Sequence, residues 1–153
     1  MKKTNLQQLS LMAIMTALTL VLGLFVKLPT PTGVTTLLDV GIYFTTFYFG
    51  GRQAFVVGGL SAFLFDLISG YPQWMLISLV AHGGQGYLAG FSGKSRFLML
   101  VLATLFMVTV YFLSSSIMYG VGTALAEVLT NTMQNLVGML GAYLLVKGLK
   151  HLR

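Results

Sequence analysis

The chain has 153 residues, 56% of them hydrophobic and 8% charged, with a formal net charge of +6. Soluble domains carry about 25% charged residues, so the composition excludes an ordinary soluble fold and describes one polytopic membrane domain, too short for a separate soluble module. The Lys and Arg residues lie singly or in pairs between apolar runs, a topology pattern and not a nucleic-acid footprint; the absence of Cys removes disulfides and thiolate-metal sites.

Lys2-Lys3 followed by an apolar run has the look of a signal peptide. No small-residue cleavage site follows, and the segment ends in Lys27 and prolines, so it is read as a retained first helix. That helix is predicted from about Gln8 to Val26, long enough to cross a hydrocarbon core of roughly 30 Å. Ala13 and Ala17 share one of its faces as a small-xxx-small patch, open either to a neighbouring helix of the same chain or to another subunit.

Leu28-Pro-Thr-Pro-Thr-Gly-Val-Thr-Thr follows as a loop. Pro29, Pro31 and Gly33 forbid regular helix, and hydroxyls such as those of Thr30 and Thr32 could close over a small polar ligand. A short second helix is expected over about Leu37 to Phe49, with Asp39 at its start, where the helix dipole favours an acid. Gly50-Gly51-Arg52 reads as a tight turn. Helix 3 is expected over about Ala54 to Ser69. Asp66 lies near its C-terminal end, where a carboxylate opposes the dipole and therefore needs a partner, a ligand or water.

Tyr71 and Trp74 sit in the next turn, as interfacial belt residues or as a stacking surface for an aromatic ring. Helix 4 is predicted over about Met75 to Phe91. His82 and Gln85, three apart, share a face, and Gly83, Gly84 and Gly86 remove bulk beside them. Helix 5, about Phe97 to Ile117, is nearly uniformly apolar and reads as lipid-facing or packing. Helix 6 starts between Gly122 and Glu127 and ends near Lys147. Its Glu127, Asn131 and Gln134 or Asn135 form one polar stripe, too costly at membrane depth to be decoration.

Six helices bring both termini to one side. Lys2, Lys3, Arg52, Lys94, Arg96, Lys147, Lys150 and Arg153 then share that side, and Lys27 alone lies on the other. The positive-inside rule makes the crowded side cytoplasmic. Asp39, Asp66, Tyr71, Trp74, Glu127 and the threonine loop fall at outer helix ends, with His82, Gln85, Asn131 and Asn135 one to three turns deeper. The expected fold is thus an all-α, six-helix transmembrane domain over residues 1–153, with cytoplasmic termini and a pocket open to the outside and closed beneath. Acids, amides and aromatics in that pocket suit a small, flat, neutral or weakly cationic heterocycle.

Ala13-Ile-Met-Thr-Ala17, together with the run Asp66…Gly70-Tyr-Pro-Gln-Trp74…His82-Gly-Gly-Gln-Gly86, resembles the substrate-binding S component of energy-coupling factor (ECF) vitamin transporters. The likeness spans the whole chain and points to the branch of hydroxymethylpyrimidine, pyridoxine and riboflavin-type components. It implies a multi-pass protein of the bacterial plasma membrane that binds a B-vitamin or precursor outside; the acids and aromatics of the pocket favour hydroxymethylpyrimidine or pyridoxine, with pantothenate as the alternative cargo. It also implies docking through Ala13 and Ala17 on a transmembrane coupling subunit joined to two ATPases, with the loop over Pro29, Thr30, Pro31, Thr32 and Gly33 as gate and toppling in the membrane to release cargo inside. No phosphate-binding G-x-x-x-x-G-K-[ST] loop is present, which leaves ATP use to the partners. No cofactor or metal is expected. A membrane enzyme using Asp66, His82 and Glu127 as acid and base lacks a nucleophile motif or metal-ligand spacing, and a stand-alone facilitator lacks a polar path through the inner half.

Overall fold

The computed structural model describes residues 5–151. Lys2, Lys3 and Arg153, which enter the charge argument, lie outside the described residues, as does the side chain of Lys150. Six helices form in the expected order: α1 (Asn5–Phe25), α2 (Leu38–Phe49), α3 (Gly51–Ser69), α4 (Met75–Ala89), α5 (Arg96–Tyr119) and α6 (Val121–His151). Gly51 and Arg52 belong to α3, and only Gly50, at φ 101°, makes the bend before it. Likewise α6 starts directly after Gly120, at φ 92°, earlier than its sequence pattern suggested.

The loop between α1 and α2 departs from an all-α description. Lys27–Pro29 (β1) and Val34–Thr36 (β2) form an antiparallel hairpin with Lys27 opposite Thr36 and Pro29 opposite Val34. The prolines exclude helix but not a strand end, where no ladder N–H is required, and the β-branched threonines favour extended backbone. Thr30 N–H donates to Gly33 O at 2.9 Å, and Gly33 N–H donates to Thr30 Oγ1 at 3.1 Å, closing the turn.

Contacts along the helices fix their directions. Gly59 meets Leu79 while Gly51 meets Gly90, so α3 and α4 are antiparallel. Gly41 meets Thr19 and Gly23 meets Leu38, so α1 and α2 are antiparallel too. Gly138 lies against Asp39 and Gly141 against Val40, so α2 and α6 run the same way. α2 is central, touching α1, α3, α4 and α6. Its 12 residues rise only about 18 Å, and the hairpin fills the space above its N-terminus. Close packing depends on glycine at the α3–α4 seam: a Cβ on Gly58 would come within 2.6 Å of His82 O, and one on Gly86 within 2.7 Å of Ala54 O. Small residues at such positions allow backbones to approach where lipid gives helices no hydrophobic reason to associate.

The outer surface is apolar, with Leu18 and Phe25 on α1, Leu67 on α3, Leu105 and Ile117 on α5, and Leu129 and Leu140 on α6 all exposed. Among the described residues, α1, α3 and α5 are each long and apolar enough to cross a membrane. Such a surface belongs against lipid, and the chain is a membrane protein with several apolar helices.

Candidate functional site

One cavity gathers most of the polar residues singled out in the sequence. It measures about 60 Å³, several times the ~10–15 Å³ that a cavity needs to admit one water. The hairpin roofs it, and α3, α4, α5 and α6 wall it. Asp66, Tyr71, Trp74, His82, Glu127 and Asn131 all line it, together with Thr30, Thr32 and Gly33 of the hairpin. No Lys or Arg is among its lining residues.

The roof is tied down by Glu127. Its Oε1 accepts the Thr32 N–H at 3.1 Å, the Thr32 hydroxyl and, more weakly at 3.5 Å, the Thr30 hydroxyl. A carboxylate taking several donors is a charge-assisted arrangement, stronger than neutral pairs. Two further ties hold the loop: Trp74 Nε1–H donates to Thr32 O at 3.1 Å, and Thr36 N–H donates to Gln134 Oε1 at 3.0 Å. Trp74 itself is 5% exposed and lies against Tyr119 and Tyr111, with ring centroids 5.9 and 5.6 Å away. It faces inward, so the interfacial-belt alternative does not describe it. Tyr71 is half-buried at the mouth. Pro29 and Pro31 are exposed, shaping the hairpin without lining the cavity.

Beneath the cavity, α2, α4 and α6 share a buried polar network. Gln85 is at its centre. Its Nε2 donates to Asp39 Oδ1 at 2.5 Å and to Asn135 Oδ1 at 2.9 Å. Both partners are acceptors at those atoms, since Asn135 Oδ1 also accepts the Tyr43 hydroxyl at 2.7 Å, and this fixes the orientation of the Gln85 amide. Its Oε1 then faces His82 Nδ1 at 2.8 Å, with Asp39 Oδ1 3.4 Å from the same nitrogen. Two acceptors around Nδ1 place a proton there. Asn135 Nδ2 donates to Asn131 O at 3.1 Å and approaches Met107 Sδ at 3.2 Å.

The network separates the sequence-predicted residues into two levels. Asp39, Gln85 and Asn135 are each fully buried and are absent from the cavity lining; they support His82 and Asn131 from below. Asp39 does lie in the first turn of its helix, as expected, but beside Gln85 and His82 instead of one to three turns above them. The hairpin precedes α2 and packs above its N-terminus, so Asp39 sits on a level with Gln85. Its first-turn position remains favourable to the dipole, but its partners are Gln85 and His82.

Sequence reasoning missed Tyr111, Met107, Ser78 and Phe65, which complete the walls. Helix α5 therefore is not solely lipid-facing. Ala103, Met107, Tyr111 and Ser115 recur every four residues, and that single stripe was the available signal. Ser78 and Tyr111 share a hydrogen bond of 2.7 Å. Away from the cavity, Ala13 and Ala17 are exposed. They lie in a separate groove of about 380 Å³ between α1 and α3, lined also by Met12, Leu20, Val56 and Leu60.

Residues 3–151 match the family of the ECF-type riboflavin transporter, S component. A protein of Lactococcus lactis subsp. cremoris (strain MG1363) named thiamine precursor transporter HmpT is 45% identical over 148 residues, covering 95% of this chain and 89% of that protein. An uncharacterized protein of Pyrococcus woesei, from a gap 3'region, is 31% identical over 125 residues, covering 76% of this chain and 84% of its own length. The solved S component of a bacterial ECF transporter superposes with a TM-score of 0.78 over 97% of this chain and 98% of that one, at 23% identity, a likeness of fold.

Proposed function

We propose that this chain, which belongs to the S-component family of ECF-type transporters and is a substrate-binding transport subunit, takes hydroxymethylpyrimidine, a thiamine precursor, into the cavity under the hairpin. The observation that carries the choice of cargo is the likeness, over nearly the whole chain, to the Lactococcus lactis protein named for thiamine-precursor transport. The cavity supports it. Asp66 and Glu127 line it without a Lys or Arg, which disfavours an anion such as pantothenate. A single ring carrying polar groups matches a lining of acids, hydroxyls, amides and aromatics. Pyridoxine, also a single ring, is the second reading.

In this reading the chain crosses the membrane six times with both termini in the cytoplasm, the hairpin completing the crossing that the short α2 begins. The charge distribution supports that orientation. Arg52 starts α3, Lys94 and Arg96 flank the start of α5, and Lys147 is near the end of α6, all at one end of the antiparallel bundle. Lys27 is at the other end, donating to Ser69 Oγ at 3.1 Å. The positive-inside rule puts the first group in the cytoplasm and so opens the cavity outward. The hairpin is the gate, held shut through Glu127. The exposed Ala13–Ala17 face docks on the transmembrane coupling subunit, and two ATPases joined to it supply the energy. Short, exposed side chains permit the backbone approach that helix association in lipid needs.

The test is calorimetry on the purified chain in detergent with hydroxymethylpyrimidine, pyridoxine, pantothenate, riboflavin and thiamine. Tight binding of hydroxymethylpyrimidine, lost in His82→Ala or Asn131→Ala, is the expected result. Tighter binding of riboflavin or pantothenate would replace the proposed cargo.

A further inference from the structure

The two carboxylates of the cavity are in different states. Glu127 is engaged by the hairpin through the Thr32 backbone N–H and the Thr30 and Thr32 hydroxyls. Asp66 is not. It lines the cavity, it is 7% exposed, and its buried Oδ2 has no hydrogen-bond partner. The surrounding structure explains why. Asp66 is in the last turn of α3, and its own carbonyl accepts the Tyr71 N–H at 2.8 Å in the αL cap at Gly70. The backbone donors of that cap are therefore spent on the carbonyl. The neighbouring Ser78 hydroxyl, which also shares a hydrogen bond with Tyr111, serves at most the other oxygen of Asp66, and Lys27 is turned to Ser69 and lies over the Phe65 ring. A buried acceptor left without a donor is costly, and the cost is recovered if a ligand brings the donor.

We propose that Asp66 is the specificity-determining residue of the cavity, accepting the N–H of an exocyclic amino group on a pyrimidine cargo and so selecting amino-pyrimidines over their oxo counterparts. This rests on the pyrimidine reading above. A carboxylate only accepts. An amino group at the ring position facing it satisfies the free oxygen; a carbonyl there sets two acceptors against each other. Glu127 Oε1 is committed to the gate, and those donors are the same for every cargo. Sites built to hydrogen-bond a particular group reject analogues that leave a buried partner unpaired far more strongly than sites that read size.

The experiment is calorimetry with 4-amino-5-hydroxymethyl-2-methylpyrimidine and its 4-oxo counterpart, on the parent chain and on Asp66→Asn. The parent should prefer the amino compound by about 100-fold or more. In Asp66→Asn, whose amide can donate to a carbonyl, the preference should shrink by about 100-fold or reverse. Glu127→Gln should weaken both compounds by the same factor. Equal binding of the two compounds by the parent overturns the inference, and that measurement needs no variant to fold. An unchanged preference in a folded Asp66→Asn overturns it as well, while leaving the pyrimidine reading intact. If the parent binds neither pyrimidine but binds another vitamin of the panel, the pyrimidine reading itself has failed, and this inference with it.

Discussion

Gln85 on α4 and Asp39 on α2 meet at 2.5 Å, though 46 residues separate them in the chain. Both are fully buried. The same Gln85 amide engages Asn135 of α6 and His82 one turn back on its own helix. One side chain thus joins three helices beneath the cavity, and it orients His82, which the cavity does see.

Replacing Gln85 by Leu removes these hydrogen bonds and leaves the Asp39 carboxylate facing no amide donor. Breaking a buried polar pair by deleting one partner costs about 2–4 kcal/mol. The expected result is a clearly lower thermal unfolding midpoint in detergent and weaker cargo binding. Asn135→Leu should cost less, because Gln85 keeps Asp39 and His82 as partners. Equal stability of Gln85→Leu and the parent would remove the network from the account of the fold.

The α3–α4 seam gives a prediction with opposite signs at two glycines. Gly86→Ala places a methyl 2.7 Å from Ala54 O, and Ala54 backbone cannot move without shifting α3. Overpacking of this kind costs about 1–3 kcal/mol. Gly122, in the first turn of α6, has nothing within 4 Å of an added Cβ, so Gly122→Ala should be neutral or stabilising by up to about 1 kcal/mol, the helix-propensity gain. Paired unfolding curves of the two variants check the contrast.

Trp74 is the only tryptophan, and its Nε1–H bonds the hairpin at Thr32 O. It therefore reports on the gate directly. Cargo binding should change its fluorescence, and Glu127→Gln should speed cargo release by about 10-fold by weakening the charge-assisted tie, with a smaller effect on association. Stopped-flow traces of Trp74 emission measure both rates. A Glu127→Gln variant that releases cargo at the parent's rate would show that the hairpin ties do not retain it.

The polar positions were legible because membrane depth makes each one expensive. The helix 6 stripe over Glu127, Asn131, Gln134 and Asn135 stood out for that reason, and the structure turns Glu127, Gln134 and Asn135 inward as buried residues. Helix number and order followed from the apolar runs for the same reason. Three things were not legible. The hairpin pairing of Lys27–Pro29 with Val34–Thr36 is hidden by prolines, which announce only that helix is forbidden. The placement of Asp39 level with Gln85 depends on where the hairpin sits, a tertiary fact with no local sign. The inward face of α5 rests on Met107 and Tyr111, apolar or nearly so, whose hydropathy matches that of residues facing lipid.

The Ala13–Ala17 face lends itself to a separation of function. Both residues are exposed and lie in the α1–α3 groove, whose lining shares no residue with the cavity. The double variant Ala13→Leu, Ala17→Leu adds bulk only on that outer groove, so cargo affinity and thermal stability should match the parent. Docking on a coupling subunit needs close backbone approach, and added isobutyl groups would hold the helices apart. Co-purification with the coupling subunit and ATPases should fall by at least about 10-fold, which corresponds to only about 1.4 kcal/mol, and vitamin uptake in cells should fall with it. If uptake persists at the parent's level while the variant is fully expressed, the docking face lies elsewhere on the apolar surface. If cargo affinity drops instead, α1 and the cavity are coupled through Gly23, which meets Leu38 and Phe65 of the cavity wall.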